Sequence, residues 1–239
     1  MVETTTAHAR YYDELFSNFD YANSLQLARA ICILDAVLAT GVAKPRILDL
    51  GCGSGWLSNL LATFGPTLGV DQSSHAASVA REQYPRAKFE TADILQWDYP
   101  AESFDIVVSQ EVIEHVEDQQ RYLQIASNLI RDDGFLILTT PNAKTMMAMP
   151  ERERKEWSNQ PIENWVTISQ LRNLLQRNFR NIRLKTIILG MGTGGSYRLV
   201  NSAKLSHGLA NVGLGRAYDW MRERIGYGLH IVATARKAR

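Results

Sequence analysis

Residues 46–55 read RILDLGCGSG, and no other stretch limits the possible folds of this chain so strongly. The apolar run Ile47, Leu48, Asp49, Leu50 stops at a turn holding Gly51, Cys52, Gly53, Ser54 and Gly55, and a helical pattern starts at Trp56 and Leu57. A buried strand, a glycine turn and a helix N-terminus in succession form the setting in which α/β proteins bind nucleotide-like ligands. The glycines permit positive φ and let a ligand lie against bare backbone. The dinucleotide fingerprint is not met, because its third glycine would fall at position 56, where Trp56 stands. No P-loop lysine follows either.

Further acidic residues stand at strand ends. Asp71 closes the apolar run Thr67, Leu68, Gly69, Val70, and an ionised carboxylate there can accept both hydroxyls of a ribose. A third run from Phe89 reaches Ala92, Asp93 and Ile94, where Asp93 suits an exocyclic amine and Ile94 the face of a ring. A fourth, Phe104 to Val108, leads through Ser109 to Gln110 and Glu111. Taken in order, residues 49–55, 69–71, 92–93, 104–108, 111–116 and 133–138 resemble the class I S-adenosylmethionine-dependent methyltransferases over essentially the whole chain.

The resemblance implies an α/β, Rossmann-like seven-stranded sheet, mostly parallel with a C-terminal antiparallel hairpin. It also implies S-adenosyl-L-methionine as cofactor. Gly51, Cys52, Gly53 and Gly55 would form its turn and Asp49 would position the methionine amine. Asp71 with Gln72 would take the ribose, Ala92, Asp93 and Ile94 the adenine, and Gln110 and Glu111 the sulfonium side. Tyr11 and Tyr12 would close over the methionine end, or else staple the first helix to the sheet.

At 239 residues and 45% apolar content the chain is read as one domain. It divides into an N-terminal helical cap over 1–44 and a cofactor-binding core over 45–140. Two segments without strand–helix alternation, 141–166 and 190–225, are expected to line the acceptor pocket. Strands are expected near 46–50, 67–71, 87–91, 103–109, 134–140, 182–190 and 226–236. Helices are expected near 11–40, 55–64, 74–83, 118–131 and 167–177. The glycines at 190, 192, 194 and 195 open an apolar, basic stretch. It reads as a substrate lid bringing Tyr197, Arg198 and His207 near the pocket, or as a helix pair covering the sheet edge.

With only Cys32 and Cys52, no signal peptide and no apolar run of membrane-spanning length, the chain reads as a reduced, cytoplasmic protein. Charge is unevenly spread: residues 1–120 hold 17 acidic and 7 basic side chains, residues 121–239 hold 8 and 19. That asymmetry reads as an ordinary solvated surface, or as a half suited to an anionic or lipid-linked acceptor and peripheral membrane contact.

For chemistry, residues 111–115 (Glu-Val-Ile-Glu-His) stand out, with His115 expected as the general base. Glu114 and His115 could instead cap the next helix. Spacing of i, i+3 and i+4 would bring Glu111, Glu114 and His115 onto one helix face. The segment is similar to a metal-holding motif of ubiquinone-type and small-RNA methyltransferases. The RNA enzymes need a further downstream histidine, which is missing between His115 and His207, so neither a metal nor nucleic acid is expected. The reading is methyl transfer to a small-molecule hydroxyl. Transfer to nitrogen or carbon, or a cofactor-binding protein without turnover, remain the alternatives.

Overall fold

Short apolar runs with β-branched residues become strands when both faces can be buried. In the computed structural model, which describes residues 23–157 and 160–238, seven do so. They are β1 Ile47–Leu50, β2 Thr67–Asp71, β3 Lys88–Thr91, β4 Phe104–Gln110, β5 Ile130–Pro141, β6 Phe179–Ile187 and β7 His230–Lys237. The strands lie in the order β3-β2-β1-β4-β5-β7-β6. β1 to β5 pair parallel, and β7 runs antiparallel between β5 and β6. The expected sheet is therefore the observed one. Strand order reverses between β1 and β4, so a crevice opens at their C-terminal ends.

Successive strand residues point to opposite faces, and each face has its own helices. Ile47, Ile106, Val108 and Ile137 pack on one side with Leu57 and Leu61 of α2 (Trp56–Leu61) and Ile33 and Val37 of α1 (Ser24–Ala39). Leu48, Leu50, Val107 and Leu136 pack on the other with Tyr122, Leu123 and Ala126 of the helix Gln119–Leu129. Between these in sequence lies α3 (Ser74–Gln83), which makes the sequence 119–129 helix α4. Leu171 and Leu175 of a later helix complete that second layer.

Local signals set the helix ends. Asn23 caps α1 through a box with Gln26, and Gly41 follows the helix with φ +70°. The N-terminal part of the helix expected over 11–40 lies outside the described residues. After β5 the chain forms α5 (Ala143–Ala148), α6 (Glu151–Trp157) and α7 (Ile168–Leu175), the last capped by Thr167. The segment expected as a lid contains α8 (Tyr197–Val200), α9 (Ala203–Asn211) and α10 (Gly215–Arg224).

Two strands begin earlier than the pattern predicts. The strand expected from 134 starts at Ile130: β5 runs through Asp132-Asp133-Gly134, pairing with Phe104 and absorbing Asp133 at φ +61° as an irregularity. β6 starts at Phe179 and carries Asn181 at φ +51° between the paired residues Arg180 and Arg183. In the other direction β7 starts at His230, after Gly226 and Gly228, rather than at 226.

Candidate active site

The glycine turn is built by backbone that only glycine tolerates. Gly51 and Gly55 have φ +82°, and a Cβ on Gly51 would lie 2.4 Å from Val112. That leaves bare main chain beneath the crevice. Asp71 braces the turn from the tip of β2: its Oδ2 accepts from the Gly53 N–H at 2.8 Å and its Oδ1 from the Ser73 N–H at 2.9 Å. Gln72 is half-buried beside it, and the Ala92 N–H donates to the Asp71 carbonyl at 2.9 Å. Cys52 is buried in the turn, and burial pushes its thiol well above the ordinary range, so it is an inert packing group.

Asp93 caps the turn after β3: Oδ1 accepts from the Leu95 N–H at 3.0 Å and Oδ2 from Gln96 Nε2 at 2.8 Å. Ile94 packs against the core on the α4 face. The structure therefore brings the turn, Asp71 and the Ala92–Ile94 loop to the same sheet edge. Tyr11 and Tyr12 lie outside the described residues.

Asp49 sits lower than its expected role suggests. It is 1% exposed, and its Oδ2 accepts from Ser58 Oγ of α2 at 2.6 Å, so it ties the turn to the helix. Burial, partly offset by Ser58 and reinforced by Asp71, raises its carboxyl to about 7. A raised folded value means the native state holds a proton that the unfolded chain has lost. Stability from this site is thus full below the ordinary value of 3.8 and declines as pH rises toward about 7. Asp49→Asn, which keeps an acceptor for Ser58, is expected to flatten this decline in a pH series of urea midpoints. An unchanged slope would contradict the assignment.

The segment 111–115 does not form the single helix face expected from its spacing. Only Ile113–His115 form a short 3₁₀ turn, and Glu111 precedes it at φ +56°. The three side chains diverge. Glu111 Oε1 accepts from Thr139 Oγ1 at 2.8 Å, and Oε2 lies 2.8 Å from His230 Nδ1. Glu114 Oε2 accepts from Thr140 Oγ1 at 2.9 Å. His115 Nδ1 donates to the Ile162 carbonyl at 2.9 Å. Among the described residues no three such groups gather in a way that would hold a metal. Nor do Glu114 and His115 cap α4: Asp118 does, accepting from the Arg121 N–H.

This leaves His115 with a defined orientation. Its Nδ1 proton is spent on Ile162, so in the neutral ring Nε2 carries the free lone pair, 3.7 Å from Glu114 Oε1. Glu114 is 1% exposed, and burial, with Glu111 nearby, raises its carboxyl well above the ordinary range. Residues 162–164 make this frame: the Asn164 N–H donates to the Glu114 carbonyl at 2.7 Å, and Asn164 Nδ2 to the Val116 carbonyl.

Two participants, Arg29 and His230, were not singled out in the sequence. Arg29 of α1 donates from Nη1 to His230 Nε2 at 3.1 Å and stands 3.8 Å from Glu111 Oε2. His230 accepts at Nε2, so its proton is on Nδ1, facing Glu111. Burial pushes the Glu111 carboxyl upward, but His230, Arg29 and Thr139 outweigh it and hold it below the ordinary range. Gln110 ends β4 directly before this cluster. Arg29 is nine-tenths buried and, among the described residues, its Nε–H has no partner, so the cluster is a buried, positively edged floor at the C-terminal ends of β4 and β5 and the N-terminal start of β7.

Of the predicted lid residues, Tyr197 is buried and its hydroxyl meets Thr145 Oγ1 at 2.7 Å, whereas Arg198 and His207 are exposed.

Comparisons with known proteins bear on the family and the fold. The family model described as a methyltransferase domain matches residues 42–183. A probable S-adenosylmethionine-dependent methyltransferase of Mycobacterium tuberculosis is 34% identical over 109 residues, 45% of this chain and 40% of that protein. The ubiquinone biosynthesis O-methyltransferase of Actinobacillus pleuropneumoniae is 32% identical over 114 residues, 44% of this chain and 49% of that protein. The match thus spans less than half the length of either relative. In fold, the N-methyltransferase NodS of Bradyrhizobium japonicum, solved with S-adenosyl-L-homocysteine, superposes with a TM-score of 0.65 at 15% identity, covering 97% of this chain and 99% of its own. With the sheet order, the glycine turn and a family match over more than half of its residues, the chain belongs to the methyltransferase-domain family.

Proposed function

We propose that this chain transfers a methyl group from S-adenosylmethionine to a hydroxyl oxygen of a small-molecule acceptor, with His115 as general base. The observation that carries the reading is the fixed His115 imidazole beside the crevice strand β4, with Nδ1 committed to Ile162 and Nε2 left to accept. S-adenosylmethionine, when bound, supplies an electrophilic methyl group on sulfur. Gly51, Gly53 and Gly55 all hold positive φ and present bare backbone in the turn, which suits a ligand lying on the main chain. Asp71 holds the ribose, the Ala92–Ile94 loop the adenine, and Gln110 and Glu111 the sulfonium side. Asp49 acts through Ser58 and the turn.

His115 Nε2 would take the acceptor's hydroxyl proton while the methyl group passes from sulfur to oxygen, the C–S bond breaking and the neutral thioether S-adenosylhomocysteine leaving. The imidazolium would then stand 3.7 Å from the Glu114 carboxyl, whose oxygen dipole favours the added charge. Alignment of donor and acceptor supplies most of the remaining rate. The buried Arg29 favours an anionic acceptor, and the charge of the C-terminal half a lipid-linked one. The test is transfer of labelled methyl from S-adenosylmethionine to paired phenols and anilines of the same skeleton. Methylation of the phenols supports the reading, and methylation of the anilines alone overturns it.

Helices α8 to α10 serve as the acceptor lid in this reading. The support is the pair of glycines, Gly190 at φ +94° and Gly226 at φ +85°, that bound it, and the absence of any buried residue in α9. Amides of 203–211 are expected to exchange fast in the free protein and at least about tenfold slower with cofactor and acceptor bound. Equal exchange in both states would make the segment a fixed edge cover.

A further inference from the structure

A surface helix ordinarily turns its apolar stripe inward. Helix α10 is inverted. Its inward residues are polar: Tyr218 OH and Arg222 Nη1 both donate to the Val200 carbonyl, at 2.9 and 3.3 Å, and Arg222 is buried. At its C-terminal end the Glu223 carbonyl accepts from Thr186 Oγ1 of β6 at 2.8 Å. The stripe Leu214, Ala217, Met221 and Ile225, spaced i, i+3, i+7 and i+11, faces out, with Leu214 and Ile225 each 52% exposed. Next to it runs Arg216, Trp220 and Arg224, spaced i, i+4 and i+8, with the Trp220 ring 60% exposed. Val212 and Leu199, on the preceding turns, are 68% and 73% exposed. Monomeric proteins rarely leave so much apolar surface together in water.

The charges say what covers it. Arg224 lies 5.3 Å from the Trp220 ring centre, and Asp219 is paired to Arg222. Among the described residues, Lys204, Arg216 and Arg224 have no acidic partner. An apolar stripe, an indole at its border and unpaired cations beside it match the layers of an anionic bilayer: acyl chains, interface and headgroup phosphates. We infer that α10, with the α8–α9 turns, docks this protein on an anionic membrane surface. The three helices join the end of β6 to the start of β7, where His230 pairs with Pro141 at the C-terminal end of β5 on one side and with Ile187 at the end of β6 on the other. Docking there sets the crevice end of the sheet toward the lipid. That it serves a lipid-linked acceptor rests on the proposed methyl transfer, but docking itself does not.

Flotation of the full chain without cofactor, on phosphatidylcholine vesicles with and without phosphatidylglycerol, separates the two. Binding is expected with the anionic lipid and is expected to weaken as salt rises. It should fall about tenfold or more in the Leu214→Ser/Trp220→Ala double variant and in Arg216→Gln/Arg224→Gln. Because these side chains are exposed, melting curves should stay as in the wild type. Trp220→Phe should also remove the fluorescence blue shift that vesicles induce. Equal binding to neutral and anionic vesicles, no binding, or unaltered binding by either double variant overturns the inference. So does a concentration-dependent dimer that Leu214→Ser/Trp220→Ala converts to monomer, since a second copy would then cover the face.

Discussion

Replacing Asp71 by alanine is expected to weaken S-adenosylmethionine binding by about 10²-fold or more. The carboxylate does two things at once. It accepts from the Gly53 and Ser73 N–H groups, which holds the turn against the tip of β2, and in the proposed complex it accepts from the ribose. Each charge-assisted hydrogen bond contributes about 1.5–3 kcal/mol, so losing two reaches that factor. Asp71→Asn keeps one oxygen acceptor and is expected to lose only about tenfold. Titration calorimetry of both variants checks this. Affinity within a few fold of wild type for Asp71→Ala would remove Asp71 from the cofactor site.

His115→Ala is expected to lower kcat by about 10²-fold or more while cofactor affinity stays within a few fold. The reason is geometric: Nδ1 is anchored on Ile162, so the loss falls on Nε2, which in the proposed reaction touches only the acceptor proton. His115→Gln tests the difference between holding and basicity. Its amide can still donate toward Ile162 but cannot take a proton, so turnover should remain low even though the 162–164 strap is kept. Near-normal kcat in His115→Gln would assign His115 a positioning role only.

The fold was legible wherever burial on both faces wrote a continuous apolar run. The strands at 47–50, 67–71, 88–91 and 104–110 match their expected bounds to within a residue. The misreadings share a cause. Asp133 and Asn181 adopt positive φ inside strands, and a sequence shows the turn-forming residue but not the ladder that carries on past it. The Glu111–His115 spacing misled for a related reason, since the i, i+3, i+4 rule holds only inside a helix and Glu111 lies outside one. Arg29 carried a readable but unused signal: it falls at i, i+4 and i+8 with Ile33 and Val37, on the buried face of α1. His230, by contrast, is distant in sequence from Glu111, and nothing in the chain marks the pairing. The role of Ile162 and Asn164 in holding His115 was equally invisible, because it depends on how an irregular segment folds back across the 113–116 turn.

The site's central claim is that the glycine turn, Asp71 and the Ala92–Ile94 loop together form one S-adenosylmethionine site. Calorimetric titration of the wild-type chain with S-adenosylhomocysteine tests it most directly. One site per chain is predicted, lost in Asp71→Ala and kept in His115→Ala. Tight binding of NAD with no heat from either sulfur compound would contradict it.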